Sequence, residues 1–230
     1  MNDSIYHLAI ETATKNCSVA IFKNKELLCL CEEKTEEFSH SEKLHTFIEW
    51  ALEGSEITIN QLHAVSVSEG PGSYTGLRIG VAAAKGLCFA LQIPLISIQT
   101  LQLLVKKVET TEVDYIIPML DARRMEVYTQ LYDSKSKKLS PIEAKIIDEN
   151  SFEEYKTQKV LFVGNGAEKC ESILTHKNFS FNSTIYPSAN EMGELVFEKY
   201  LNREFEDIAY FEPLYLKDFI AGKPKNLLEK

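Results

Sequence analysis

The sequence has no C-x-x-C pair and an odd number of cysteines, five in 230 residues. Cys17, Cys29, Cys31, Cys88 and Cys170 therefore fit neither a disulfide framework nor a thiolate zinc site. They read as small apolar side chains. Basic charge is also short: 25 Lys and Arg face 34 Asp and Glu, for a formal charge of −9. Such a surface repels phosphate backbones, so work on RNA would need positive surface from elsewhere. The opening Met1-Asn-Asp-Ser4 lacks the basic region of a secretion leader. The most apolar stretch, Gly76 to Leu95, is interrupted by Arg78, Lys85, Gln92 and Pro94 and makes a poor membrane span. Reduced thiols and no leader predict a cytoplasmic protein without membrane contact.

Several enzymatic signatures are missing too. The glycine-rich run Gly70-Pro-Gly-Ser-Tyr-Thr-Gly76 has no G-K-[ST] ending. Its glycines miss G-x-G-x-x-G by one residue. Pro71 stands where a G-x-S-x-G elbow around Ser73 needs glycine. His40 and His45 are five positions apart, about 140° around a helix, which is poor for two ligands of one metal. No metal site is expected there.

What is present is an α/β pattern. Ile5–Ile10 is a continuous apolar run, as in a strand buried on both faces. Strands at Cys17–Phe22 and Glu26–Cys31 follow, forming a meander. Ser39-His-Ser-Glu42 has the form of a capping box that starts a helix ending at Gly54. A strand at Ala64–Ser68 feeds the glycine-rich run, and a helix is expected from about Gly76 to Leu91. Pro94–Ile98 reads as a strand, with Thr100 capping a helix to Lys107. The plan then restarts, with strands at Tyr115–Leu120, Glu126–Tyr132 and Glu143–Ile147 and a helix at Ser151–Lys156. A strand at Lys159–Val163, a helix from Ala167, a strand at Thr184–Tyr186 and a helix from Ser188 to Asn202 complete it. Glu11 ends the first strand of one copy and Asp121 that of the other. Two similar lobes are expected, 1–103 and 104–230, joined near Gln99–Glu112.

The glycine-rich run is the strongest feature. A strand feeding glycines and then a helix, with Ser73 or Thr75 as cap and Arg78 in the first turn, can bind an anion, or can be a bare tight turn. Glu11, with Thr12, and Asp121 can hold magnesium beside a phosphate, or can be polar strand ends. Gly80-Val-Ala-Ala-Ala-Lys-Gly86 is small nearly all round and invites close approach of another element. Arg123-Arg124 and the lysines Lys217, Lys223, Lys225 and Lys230 read as solvated charge.

In this order and at these spacings, Ile10-Glu-Thr-Ala-Thr14, His40-Ser-Glu42, Glu69–Gly80 and Met119-Leu-Asp-Ala-Arg-Arg124 resemble the TsaB (YeaZ) family. Pro213-Leu-Tyr-Leu-Lys217 is similar to that family's C-terminal segment. The resemblance implies two ribonuclease-H-like lobes of the actin/Hsp70 (ASKHA) superfamily. It implies a non-catalytic scaffold subunit, paired with a TsaD-type threonylcarbamoyl transferase and joined by a TsaE-type ATPase, with a homodimer in isolation and tRNA met only indirectly. No cofactor is required on this reading. ATP or ADP with magnesium is possible at the inter-lobe cleft or a partner interface, near Glu11, Thr12, Gly70, Gly72, Ser73, Thr75, Gly76 and Asp121. The transferase's H-x-x-x-H pair is absent, because Leu44 stands four residues after His40. The interface implied by the resemblance lies on the helices at Ser39–Gly54 and Gly76–Leu91: His40, Leu44, Phe47, Ile48, Trp50 and Ala51 on the first, and Arg78, Val81, Ala84, Lys85 and Cys88 on the second. Phe47→Asp or Ala84→Arg is then expected to break dimerisation and spare the fold. Competing readings are an ATP-dependent small-molecule kinase, with Gly164-Asn-Gly166 as a further phosphate element, and a metallopeptidase, against which the histidine spacing speaks.

Overall fold

The computed structural model describes residues 4–35, 40–109 and 112–217. The first apolar run forms β1 (Tyr6–Glu11), which is flanked by β2 (Asn16–Lys23) and β3 (Glu26–Lys34) as an antiparallel meander. On its other side β1 pairs in parallel with β4 (Ala64–Gly70), and β4 with β5 (Leu95–Gln99). The order is β3-β2-β1-β4-β5. Central position explains the unbroken apolarity of β1, whose two faces are both covered.

The second sheet repeats this plan. β6 (Tyr115–Asp121) pairs antiparallel with β7 (Glu126–Thr129) and the short β8 (Tyr132–Asp133), and β7 pairs with β9 (Glu143–Ile146). β10 (Val160–Val163) and β11 (Phe179–Asn182) continue in parallel on the other side of β6. From β9 to β11 the order is β9-β7-β6-β10-β11, matching the first sheet strand for strand.

One face of the first sheet is covered by α1 (His40–Gly54) and α2 (Tyr74–Leu91), whose Leu44, Phe47, Ala51, Val81, Ala84 and Cys88 meet Leu8, Ile10 and Val67. The other face is covered by α5 (Met192–Leu201) and the 3-10 turn Ala189–Glu191, through Ala189, Met192 and Val196. Gly193 sits so close to Phe22 that a Cβ would lie 2.6 Å from its ring. α3 (Thr100–Lys106) follows β5 yet packs Leu101, Leu104 and Val105 on Ile116, Leu120, Tyr132 and Val163 of the second sheet. The expected boundary at 103/104 follows chain order, but in space residues 188–201 return to the first sheet.

Several elements differ from expectation. The capping residue Ser39 lies outside the described residues. α1 ends at Gly54 as expected, but the left-handed residue is Glu56 (φ 54°), while Gly54 makes room for Cys29, whose Sγ would lie 2.8 Å from a Cβ. Thr100 does not cap α3; the cap position is Gln99, and the Thr100 hydroxyl is buried without a hydrogen bond. The strand expected over Glu126–Tyr132 breaks at Gln130-Leu131, opposite Pro118, which has no N–H to donate. Ser151–Lys156 shortens to a 3-10 turn, Glu153–Tyr155, and the helix after Ala167 to a single turn, α4 (Glu168–Glu171). The strand expected at Thr184–Tyr186 is instead β11. There Phe181 stacks on Phe162 and Phe179 meets it edge-on, while Asn182 Oδ1 accepts from Thr184 N at 3.1 Å and turns the chain away. Ser188 caps the 3-10 turn before α5, its hydroxyl accepting from Asn190 N. Among the described residues no helix is long and apolar enough to cross a membrane.

Candidate functional site

The glycine-rich run connects β4 to α2 and lies on the end of β1. Ser73 caps α2 by accepting from Gly76 N at 3.3 Å, which selects Ser73 over the exposed Thr75. Ser73 N donates to Ala13 O at 2.7 Å, and a Cβ on Gly72 would fall 2.5 Å from that same oxygen. Thr12 Oγ1 donates to Gly76 O at 2.8 Å and would lie 2.3 Å from a Cβ on Gly80. Glycine is needed at 72 because the Ala13 backbone lies against it, and at 80 because the Thr12 side chain does. Gly70 takes φ 117° beneath Leu214, whose N donates to Glu69 O at 2.7 Å. The N–H groups of Ser73, Gly76 and Leu77 are thus all spent inside the protein.

Glu11 is fully buried. One carboxyl oxygen accepts from Ala13 N, and the other has no partner. Burial raises its pKa to about 7; the Ala13 N–H and Ser68 oppose this, and Glu191 adds to it. Such a carboxyl is about half protonated near neutral pH. Asp121 is exposed, and its Oδ1 accepts from Arg123 N at 3.0 Å and from Lys169 Nζ. Gly164 and Gly166 are pressed on Met119 and Leu120 much as Gly72 and Gly80 are on Ala13 and Thr12. The loops named for a magnesium-bound nucleotide therefore do not fit that group: their backbones are closed on the first strand of each lobe. The glycine-rich run makes a tight strand-to-helix turn closed on Ala13 and Thr12. Among the described residues, no three His, Cys, Asp or Glu side chains group as metal ligands.

The expected interface residues divide into two sets. Leu44, Phe47, Ile48, Ala51, Val81, Ala84 and Cys88 belong to the core of this subunit and are at most 6% exposed. They do not form a surface, because the stripe that marks each helix also faces the sheet. Arg78 and Lys85 point outward but are engaged by the chain's own C-terminal segment. Arg78 Nε donates to Tyr215 Oη at 3.2 Å with its guanidinium 4.3 Å from the Tyr74 ring centre, and Lys85 Nζ donates to Phe211 O at 3.0 Å. Only Trp50, 55% exposed, stays on the surface; the side chain of His40 lies outside the described residues. The outward face of α2 is instead Ala82, Gly86 and Phe89, with Phe89 80% exposed. These residues recur at i, i+4 and i+7, one position on from Val81, Lys85 and Cys88. The signal was readable: in a helix small on all sides, the bulky Phe89 opposite the sheet-facing stripe marks the free face.

Two lobes of one strand order, each with its glycine loop seated on the first strand, define the two-lobed ribonuclease-H-like class of the actin/Hsp70 fold. The family model described as "TsaD: tRNA N6-adenosine threonylcarbamoyltransferase" matches residues 35–225. The tRNA threonylcarbamoyladenosine biosynthesis protein TsaB of Buchnera aphidicola subsp. Schizaphis graminum is 31% identical over 205 residues, 86% of this chain and 95% of its own length. That of Haemophilus influenzae is 28% identical over 227 residues, 94% of this chain and 95% of its own. YeaZ from Pseudomonas aeruginosa superposes with a TM-score of 0.81 at 21% identity, over 92% of this chain and all of that one. The chain belongs to this threonylcarbamoyladenosine family, as one of its TsaB (YeaZ) members.

Proposed function

We propose that the chain is the non-catalytic subunit of tRNA threonylcarbamoyladenosine synthesis, supporting a TsaD-type catalytic subunit through the outward faces of α1 and α2. The observation that carries this is the free stripe Ala82-Gly86-Phe89, where nothing lies within 4 Å of a Cβ built on Gly86. A stripe of small residues lets a second helix approach to close distance, and an exposed Phe supplies an anchor for it. The closed glycine loops support a role in assembly over one in phosphoryl chemistry. The same face serves a homodimer in isolation, and a TsaE-type ATPase joins the pair. Five free thiols support a reducing, cytoplasmic setting.

Co-purification with TsaD-type and TsaE-type partners, followed by assay of tRNA modification, tests this. The reconstituted set is expected to modify tRNA and the chain alone to show no transfer. Transfer by the chain alone would sink the reading. Gly86→Arg is expected to abolish pairing by light scattering while circular dichroism is unchanged, since the position is open.

A further inference from the structure

Arginine is scarce here: of 230 residues only Arg78, Arg123, Arg124 and Arg203. Three of the four border one surface. Arg123 and Arg124 form the tip of the β6–β7 hairpin, both exposed and both at positive φ, 69° and 50°. Asn, Asp or Gly takes that backbone more easily. Neither guanidinium forms an ion pair among the described residues, because the neighbouring acids are taken: Asp121 by Lys169 and Glu126 by Lys217. Lys217 lies two residues past Tyr215, which holds Arg78. The Arg78–Tyr215 and Lys217–Glu126 contacts thus tie the hairpin to α2 across the two lobes. Tyr74 and Tyr215 lie at 5.0 Å between ring centres beside Arg78, and the Glu212 carboxylate also acts on it.

We propose that Arg123 and Arg124, continued by Arg78 with its tyrosines, form a phosphodiester-binding surface through which this subunit touches the backbone of tRNA. The inference rests on the assembly assigned above. It makes one local exception to the expectation that an acidic chain meets tRNA only indirectly. Charge complementarity selects the occupant: planar guanidinium forks with no ion pair among the described residues match phosphate oxygens, and the half-buried Tyr74 and Tyr215 rings lie beside Arg78.

The test titrates fluorescent tRNA into the full chain, alone and with its TsaD-type partner, at several salt concentrations. The variant is Arg123→Asn with Arg124→Asn, residues that suit the turn, so folding is preserved. Arg203→Asn is the control: Arg203 is also exposed and at positive φ (58°), but it follows α5. Two lost phosphate contacts are expected to weaken binding about tenfold near physiological salt and to lower the slope of log affinity against log salt by about 2. The control is expected to match the wild type. Unchanged affinity and slope in the double variant would overturn the proposal. So would lost partner pairing with tRNA binding by the chain alone intact, since the arginines would then face protein. Failure of the wild type to pair counts against the assembly instead, because the RNA titration reads on the chain alone.

Discussion

Glu11 and His7 lie on the same face of β1 and make opposite demands on protons. Burial lowers His7 to about 4, although Nε2 bonds Asn24 O at 3.0 Å and the ring stacks on Phe22. Burial raises Glu11 from 4.5 to about 7. For Glu11 the stabilising contribution is complete below pH 4.5 and is lost as pH rises through 7, because the unfolded carboxyl gives up its proton first. For His7 it is complete above pH 6.5 and is lost as pH falls through 4. The two slopes oppose each other between about pH 4.5 and 6.5. Glu11→Gln keeps the oxygen that accepts from Ala13 N and removes the charge. Its stability relative to the wild type is expected to rise from near zero at pH 4.5 to about 3 kcal/mol at pH 8. Thermal melts of both proteins across that range check this, and a pH-independent difference would refute it. Gly80→Ala acts in the opposite direction: its methyl enters the space of Thr12 Oγ1 and is expected to lower stability by about 1–3 kcal/mol, read by urea unfolding.

At the scale of the element, α2 separates into two fates for residues one position apart. Phe47→Asp or Ala84→Arg places charge in the core shared with Leu8 and Val67 and is expected to unfold the protein, at a cost of about 4 kcal/mol or more. The expectation that these variants spare the fold is corrected on this ground. Phe89→Asp is expected to leave the melting curve alone and to weaken pairing at least tenfold, from the loss of about 1.5–3 kcal/mol of apolar burial. Light scattering beside a melting curve separates the two outcomes. Periodicity located both helices, because Leu44, Phe47, Ile48 and Ala51 share a stripe; it did not tell whether that stripe meets the sheet or a partner. The β1–β5 strands were legible as apolar runs bounded by turns. β11 was not, since its pattern Phe-Ser-Phe-Asn depends on the Phe162 ring of a neighbouring strand. The glycine loop was legible as a strand-to-helix turn, but its closure on Thr12 and Ala13 was not, because contacts about sixty residues apart leave no local pattern. The tilt of Gly54 toward Cys29 is a further contact of that kind.

Across the whole molecule, each lobe is finished by a helix from the other half of the chain. α3 follows the first sheet and packs on the second; α5 follows the second sheet and packs on the first. The lobes are therefore expected to unfold together, as one calorimetric transition with equal van't Hoff and calorimetric enthalpies. Two resolved transitions would contradict this. Residues 1–109 alone are expected not to fold, since Ala9, Phe22, Ile96 and Ile98 would stand uncovered. The β5 edge is also closed from a distance, by a bridge from Leu95 to Glu206 and a 2.6 Å bond from Ser97 Oγ to Glu206. This arrangement sets a timetable for the nascent chain. The first sheet leaves the ribosome about a hundred residues ahead of the helix that seals it. At ~5–20 residues per second, that face waits roughly 5–20 s in the open. Shielding by a chaperone, or fast translation between β5 and α5 that shortens the wait, is thus expected to raise the share of chains that escapes aggregation.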